Sequence, residues 1–239
     1  MRTLCFLVAF QFLLVSQASS AKITEGIQAS AKSGKYTYIM FYREHDGATR
    51  QMASAIDRQV SKTPELTSWV QVNVKDRSAA GLIKKYDATR LPMPTVMGVA
   101  PNGAITCVCQ LKVSQEQLDN AILTPRYCKM VKKLQEQKIT VVCLQPVRGG
   151  FVPAGVTQLE KDPNLKKYVV RVSASADDVR EARFFERMRV KTNIRKPVVL
   201  MFAPPGVYLG TFNAEVSGQE LANVIHKSGK CSCEHCQKK

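Results

Sequence analysis

The densest group of reactive side chains in this sequence lies at its end, Gly229-Lys-Cys231-Ser-Cys233-Glu-His235-Cys236-Gln-Lys-Lys239. Three thiols and an imidazole fall within six residues. Thiolates and imidazole are soft ligands, and a Cys-x-Cys-x-x-Cys run wraps one zinc or copper(I) ion with short loops. Cys231, Cys233 and Cys236 are the candidate ligands, with His235 as a fourth that competes sterically with its neighbour Cys236. That crowding favours copper(I), which is content with two or three sulfurs. Cys233-Glu-His-Cys236 is also a pair of thiols at the spacing used for disulfide exchange. Only three residues follow it, so no helix stands behind to lower the first thiol's pKa. A tail that is merely exposed, or that only crosslinks, is the third reading. The soft-metal reading is the one taken here, with the other two kept as alternatives.

Four more cysteines lie in the body of the chain. Cys107 and Cys109 alternate on an expected strand and so face the same side. They read as core thiols, a strained pair or a landing place for the tail, and core thiols are the default. Cys128 and Cys143 read the same way, with a bridge between them left open.

The start of the chain says where it goes. Arg2 provides a positive end, Leu4 to Val15 an apolar stretch, and Ser16 to Ala21 a small-residue cleavage zone. This is the pattern of a cleavable export signal over 1–21, too short for a membrane anchor. The protein is expected to be exported, periplasmic or secreted, with no transmembrane segment after cleavage. Cleavage removes Cys5 and leaves seven cysteines, an odd number that cannot all pair within one chain. It also removes Arg2, so the net charge falls from +16 to +15. That charge draws anionic partners without specificity. The basic residues are scattered and not interleaved with aromatics, so no specific nucleic-acid module is expected.

The elements between these ends follow from periodicity. Residues 22–33 read as a helix stopped at Gly34, and Tyr36 to Tyr42 as a buried strand. Ala48 to Val60 is helical, with Met52, Ile56 and Val60 on one face. A strand at Trp69 to Val74, a helix at Ala79 to Tyr86 and a strand at Val96 to Ala100 come next. Pro101-Asn-Gly turns into a partner strand, Ala104 to Leu111. Ser114 with Gln117 caps a last helix to Ile122. A basic amphipathic stretch, 124–138, reads as a helical connector. A weaker copy of the same order follows: strands at Ile139 to Leu144 and Tyr168 to Ser173, and a helix at Asp177 to Val190 with Val179, Phe185 and Met188 inward. Strands Val198 to Ala203 and Val207 to Phe212 and a helix at Ser217 to His226 complete it.

This order resembles the thioredoxin-like superfamily. The lead-in Ala31-Lys-Ser-Gly-Lys-Tyr-Thr-Tyr-Ile-Met-Phe-Tyr42 looks like that of exported members, Met93-Pro94-Thr95 resembles their cis-proline signature, and Pro101-Asn102-Gly103 their hairpin. The resemblance implies an α/β protein of two tandem thioredoxin-like domains, each a central mixed sheet flanked by helices. The first spans 22–123, the second, weaker one 139–228, and the cysteine-rich tail 229–239. Aligned on Phe41-Tyr42, the family's Cys-x-x-Cys falls on Asp46-Gly47-Ala48-Thr49, which holds no thiol. Asp46 is instead a helix N-cap. In the second domain the corresponding loop, Pro146 to Pro153, also lacks cysteine. The family's oxidoreductase activity is therefore not expected of either domain, and the histidine within Cys233-Glu-His-Cys236 resembles oxidising relatives only in motif. The resemblance also implies cis-prolines at Pro94 and Pro197. It implies a peptide-binding groove along Asp46, Arg90, Met93, Pro94 and Thr95, which needs no cysteine and would take a protein or peptide partner. A turn-shaping role for Pro94 alone is the competing reading.

Overall fold

In the computed structural model, residues 22–229 are described. The expected signal (1–21) and the tail residues Cys231, Cys233, His235 and Cys236 lie outside them.

The chain divides into two compact units, the boundary falling between Ile122 and Leu123. In the first, a helix over 22–32 (α1) is followed by β1 (Tyr36–Tyr42), α2 (Gly47–Lys62), β2 (Thr67–Asn73) and α3 (Ala80–Lys85). Then come β3 (Thr95–Val99), β4 (Ile105–Gln110) and α4 (Gln115–Ala121). The strands form one sheet in the order β2-β1-β3-β4. β1 runs parallel to β2 and antiparallel to β3, and β4 is antiparallel to β3.

β1 is apolar almost throughout because both of its faces are covered. Tyr38 and Met40 join Met52 and Ile56 of α2 and Leu118 and Ala121 of α4 on one face. Ile39 and Phe41 meet Ile83 of α3 and Ile23 and Ile27 of α1 on the other. The Tyr38 hydroxyl is buried but satisfied, donating to the Leu118 carbonyl at 2.8 Å. The capping box at Ser114 and Gln117 forms as the spacing requires.

The second unit repeats the plan with α5 (Pro125–Gln135), β5 (Ile139–Gln145), α6 (Ala154–Lys161), β6 (Val169–Ser175), α7 (Ala182–Arg187), β7 (Val198–Ala203), β8 (Val207–Phe212) and α8 (Gly218–Lys227). Its order is β6-β5-β7-β8, with the same pattern of parallel and antiparallel pairs. Odd residues of β5 (Ile139, Val141, Cys143) pack against α6 and α8, even ones (Val142, Leu144) against α5 and α7. Both units are thus thioredoxin-like, mixed four-stranded sheets between helices.

Four expectations change. The stretch 124–138 is not a connector: Met130 and Leu134 of α5 are core residues of the second unit, so α5 is its opening helix as α1 is of the first. The helix expected over Asp177 to Val190 is shorter. Asp178 caps a 3-10 turn, Val179–Glu181, before α7 begins. Val179 accordingly points outward at 84% exposure, while Phe184, not anticipated, is fully buried beside Phe185. Pro197 does stand just before β7, but its peptide is not cis. Among the described residues the cis bonds are Met93–Pro94 and Pro204–Pro205, the latter in the β7–β8 turn. Finally, α6 was not expected at all.

Candidate functional site

The register of β1 with β3 pairs Phe41 with Thr95. The loop leaving β1 (43–46) and the segment entering β3 (92–94) therefore lie at the same end of the sheet. Asp46, extended in backbone, caps α2 by accepting the Thr49 N–H at 2.8 Å. That bond and the Arg50 charge hold its carboxyl below the usual carboxylate range. The Thr49 hydroxyl is itself committed, donating to the Glu44 carbonyl at 2.8 Å. Arg50 donates to the His45 carbonyl at 2.7 Å, and the His45 ring lies 4.5 Å from that of Tyr42. Lys75 pairs with Glu44. A helix N-terminus of this kind activates a thiol when one stands there. Here the capping oxygen takes that place, and the loop is closed by its own hydrogen bonds.

On the β3 side, Pro94 and Thr95 are buried, Met93 is half-buried and Arg90 is exposed. The Thr95 hydroxyl donates to the Pro92 carbonyl, and the Leu111 N–H reaches the Pro94 carbonyl at 2.7 Å. Of the residues proposed to line a groove, Thr95 and Pro94 thus belong to the core. Asp46, Arg90 and Met93 remain at the surface, and none of the described cavities is lined by Asp46, Met93, Pro94 or Thr95.

The matching end of the second unit is built differently. Gln145 closes the 146–153 loop by donating to the carbonyls of Gly150 (2.6 Å) and Phe151 (3.1 Å). Asp178 takes Arg148 at 3.1 Å and Arg180 at 2.8 Å, which hold its carboxyl far below the ordinary range. Beside them lies a cavity of about 310 Å³, whose lining includes Arg126, Ser175 and Glu181. Glu181 is 3% exposed. Its Oε1 accepts the Arg126 N–H at the start of α5 at 3.0 Å, and its Oε2 has no protein partner. No pattern in the sequence announced this carboxylate, because it is brought to α5 across 55 residues.

Cys107, Cys109 and Cys143 are free thiols. Cys143 faces α6 and α8, whereas Cys128 sits on α5, whose core contacts lie on the other face of the sheet. That placement removes the bridge between them. Burial raises the Cys143 thiol to about 12. Cys107 and Cys109 do share a face, as alternation required. Among the described residues no three His, Cys, Asp or Glu side chains gather as a metal site.

No protein-family model matches the sequence, and the comparison with curated proteins finds no match. Among solved structures, zinc-bound human ERp44 overlaps 87% of this chain and 56% of its own, at 13% identity and a TM-score of 0.37. The first two thioredoxin domains of Saccharomyces cerevisiae Eps1p overlap 83% of this chain and 94% of theirs, at 12% and 0.31. Thioredoxin O2 of Arabidopsis thaliana overlaps 42% of this chain and 83% of its own, at 16% and 0.34. The thioredoxin-like fold rests on the strand order and register above, not on these overlaps.

Proposed function

We propose that this two-unit thioredoxin-like chain is an exported binding protein whose folded units do no thiol chemistry of the Cys-x-x-Cys kind, and whose C-terminal Cys231, Cys233 and Cys236 hold a soft metal ion. The observation that carries the first half is the Asp46 cap. A carboxylate acceptor occupies the helix end where a nucleophilic thiol would have to stand, and Thr49 spends its hydroxyl on Glu44. The exported half of the reading rests on the 1–21 pattern, and the metal half on thiolate spacing alone. A protein or peptide partner would meet the exposed Asp46 and the half-buried Met93.

Elemental analysis of the mature protein, purified without added metal or reductant, tests the tail. About one copper or zinc per chain is expected, absent from the C231S/C233S/C236S variant. A metal-free protein with an oxidised tail would overturn the metal reading and leave disulfide exchange through Cys233 and Cys236.

A further inference from the structure

A second thiol pair lies inside the first unit. Cys107 and Cys109 stand on β4, the edge strand, opposite Gly98 and Val96 of β3. Both side chains are directed to the face covered by α2 and α4, where they meet Tyr38, Leu118 and Ala121. Cys109 is buried and Cys107 half-buried, so the pair has one side toward solvent. Gly98 makes the room: a Cβ there would lie 3.0 Å from the Cys107 sulfur.

Strand geometry decides what two such thiols can do. Residues i and i+2 are separated by roughly 6.5 Å with nearly parallel Cβ directions. A disulfide needs Cβ atoms roughly 3.5–4.5 Å apart, so this pair does not close without bending the strand. Two metal–sulfur bonds of roughly 2.3 Å in line span roughly 4.6 Å. Two thiols on one face of a strand, leaning toward each other through χ1, reach that span. Zinc would need four ligands, and among the described residues no third Cys, His, Asp or Glu joins the two. A soft ion satisfied by two sulfurs remains.

We propose that Cys107 and Cys109 form a two-coordinate copper(I) site, separate from the tail. Binding replaces both S–H protons: one Cu⁺ enters, two S–Cu bonds form, two protons leave to solvent, and no electron is transferred.

The test uses the mature chain carrying C231S/C233S/C236S, titrated with copper(I) against bicinchoninate. One copper(I) per chain is expected, with affinity at least about tenfold weaker after either C107S or C109S. In the unsubstituted site, copper(I) is expected to protect Cys107 and Cys109 from alkylation by N-ethylmaleimide, mapped by peptide mass spectrometry. Copper bound equally without these two thiols, no capture from bicinchoninate, or alkylation unchanged by copper(I) would each overturn the proposal. Since the tail thiols are absent throughout, loss of tail metal and loss of this site are read separately.

Discussion

Gly155→Ala is expected to destabilise the second unit strongly while leaving the first intact. Gly155 lies in the first turn of α6, where a Cβ would fall 2.1 Å from the Val216 carbonyl oxygen and 2.7 Å from the Ser217 carbonyl carbon. Both obstacles are backbone at the entrance to α8 and cannot turn aside as a side chain would. The approach is mutual, since a Cβ on Gly218 would stand 2.7 Å from that of Gln158, whose Oε1 accepts the Gly218 N–H at 3.1 Å. Overpacking in a core costs about 1–3 kcal/mol, and more where backbone must move. About 3 kcal/mol or more is therefore expected, a large fraction of the stability of a domain this size. Hydrogen exchange checks it: protection should fall across β5 to α8 and stay unchanged across β1 to α4. Gly81→Ala in α3 is the control, because a Cβ there meets nothing within 4 Å.

Phe184→Ala is expected to have a comparable effect by the opposite fault, a cavity. Phe184 is fully buried. It stacks on Tyr127 of α5 at 5.1 Å and packs with Val142, Leu144, Val172 and Leu200 across the sheet. Truncating such a ring costs about 3–5 kcal/mol, the transfer loss plus the void left behind. Chemical denaturation should show the second unit's midpoint falling with little change in slope. Phe184→Leu should recover more than half of the loss. An unchanged midpoint for the alanine variant would mean that α7 does not hold α5 to the sheet.

Much of this architecture was legible because local signals agreed with the final fold. Asp46, Ser114 and Ser217 mark helix starts by chemistry that needs no tertiary partner, and each makes its cap. The alternation of Cys107 and Cys109 survives for the same reason. What escaped the sequence is what distant residues decide. α6 is eight residues long, begins after a loop rich in glycine and proline, and carries Gly155 near its start; its helical state is secured by contact with α8. Val179 leaves its expected inward place, and Phe184 takes a buried one, because the Asp178 side chain caps a tight turn first, which rotates the helix that follows. The isomer of an X-Pro bond is only weakly set by neighbouring residues, so Pro94 and Pro197 looked alike in sequence while only Pro94 is cis. Glu181, the buried carboxylate that accepts the Arg126 N–H of α5, has no sequence pattern at all.

The central claim is that the first unit keeps the thioredoxin-like frame while Asp46 and Thr49 stand where the reactive thiols would be. An insulin-reduction assay with dithiothreitol tests it most directly, comparing C231S/C233S/C236S with the same chain carrying D46C and T49C. The frame supplies the start of a 16-residue helix to lower the first thiol's pKa, and Thr49 is close to cysteine in size. The account predicts no turnover above background for the first protein and clear reductase activity for the second. Activity in the first, or none in a folded second, would contradict it.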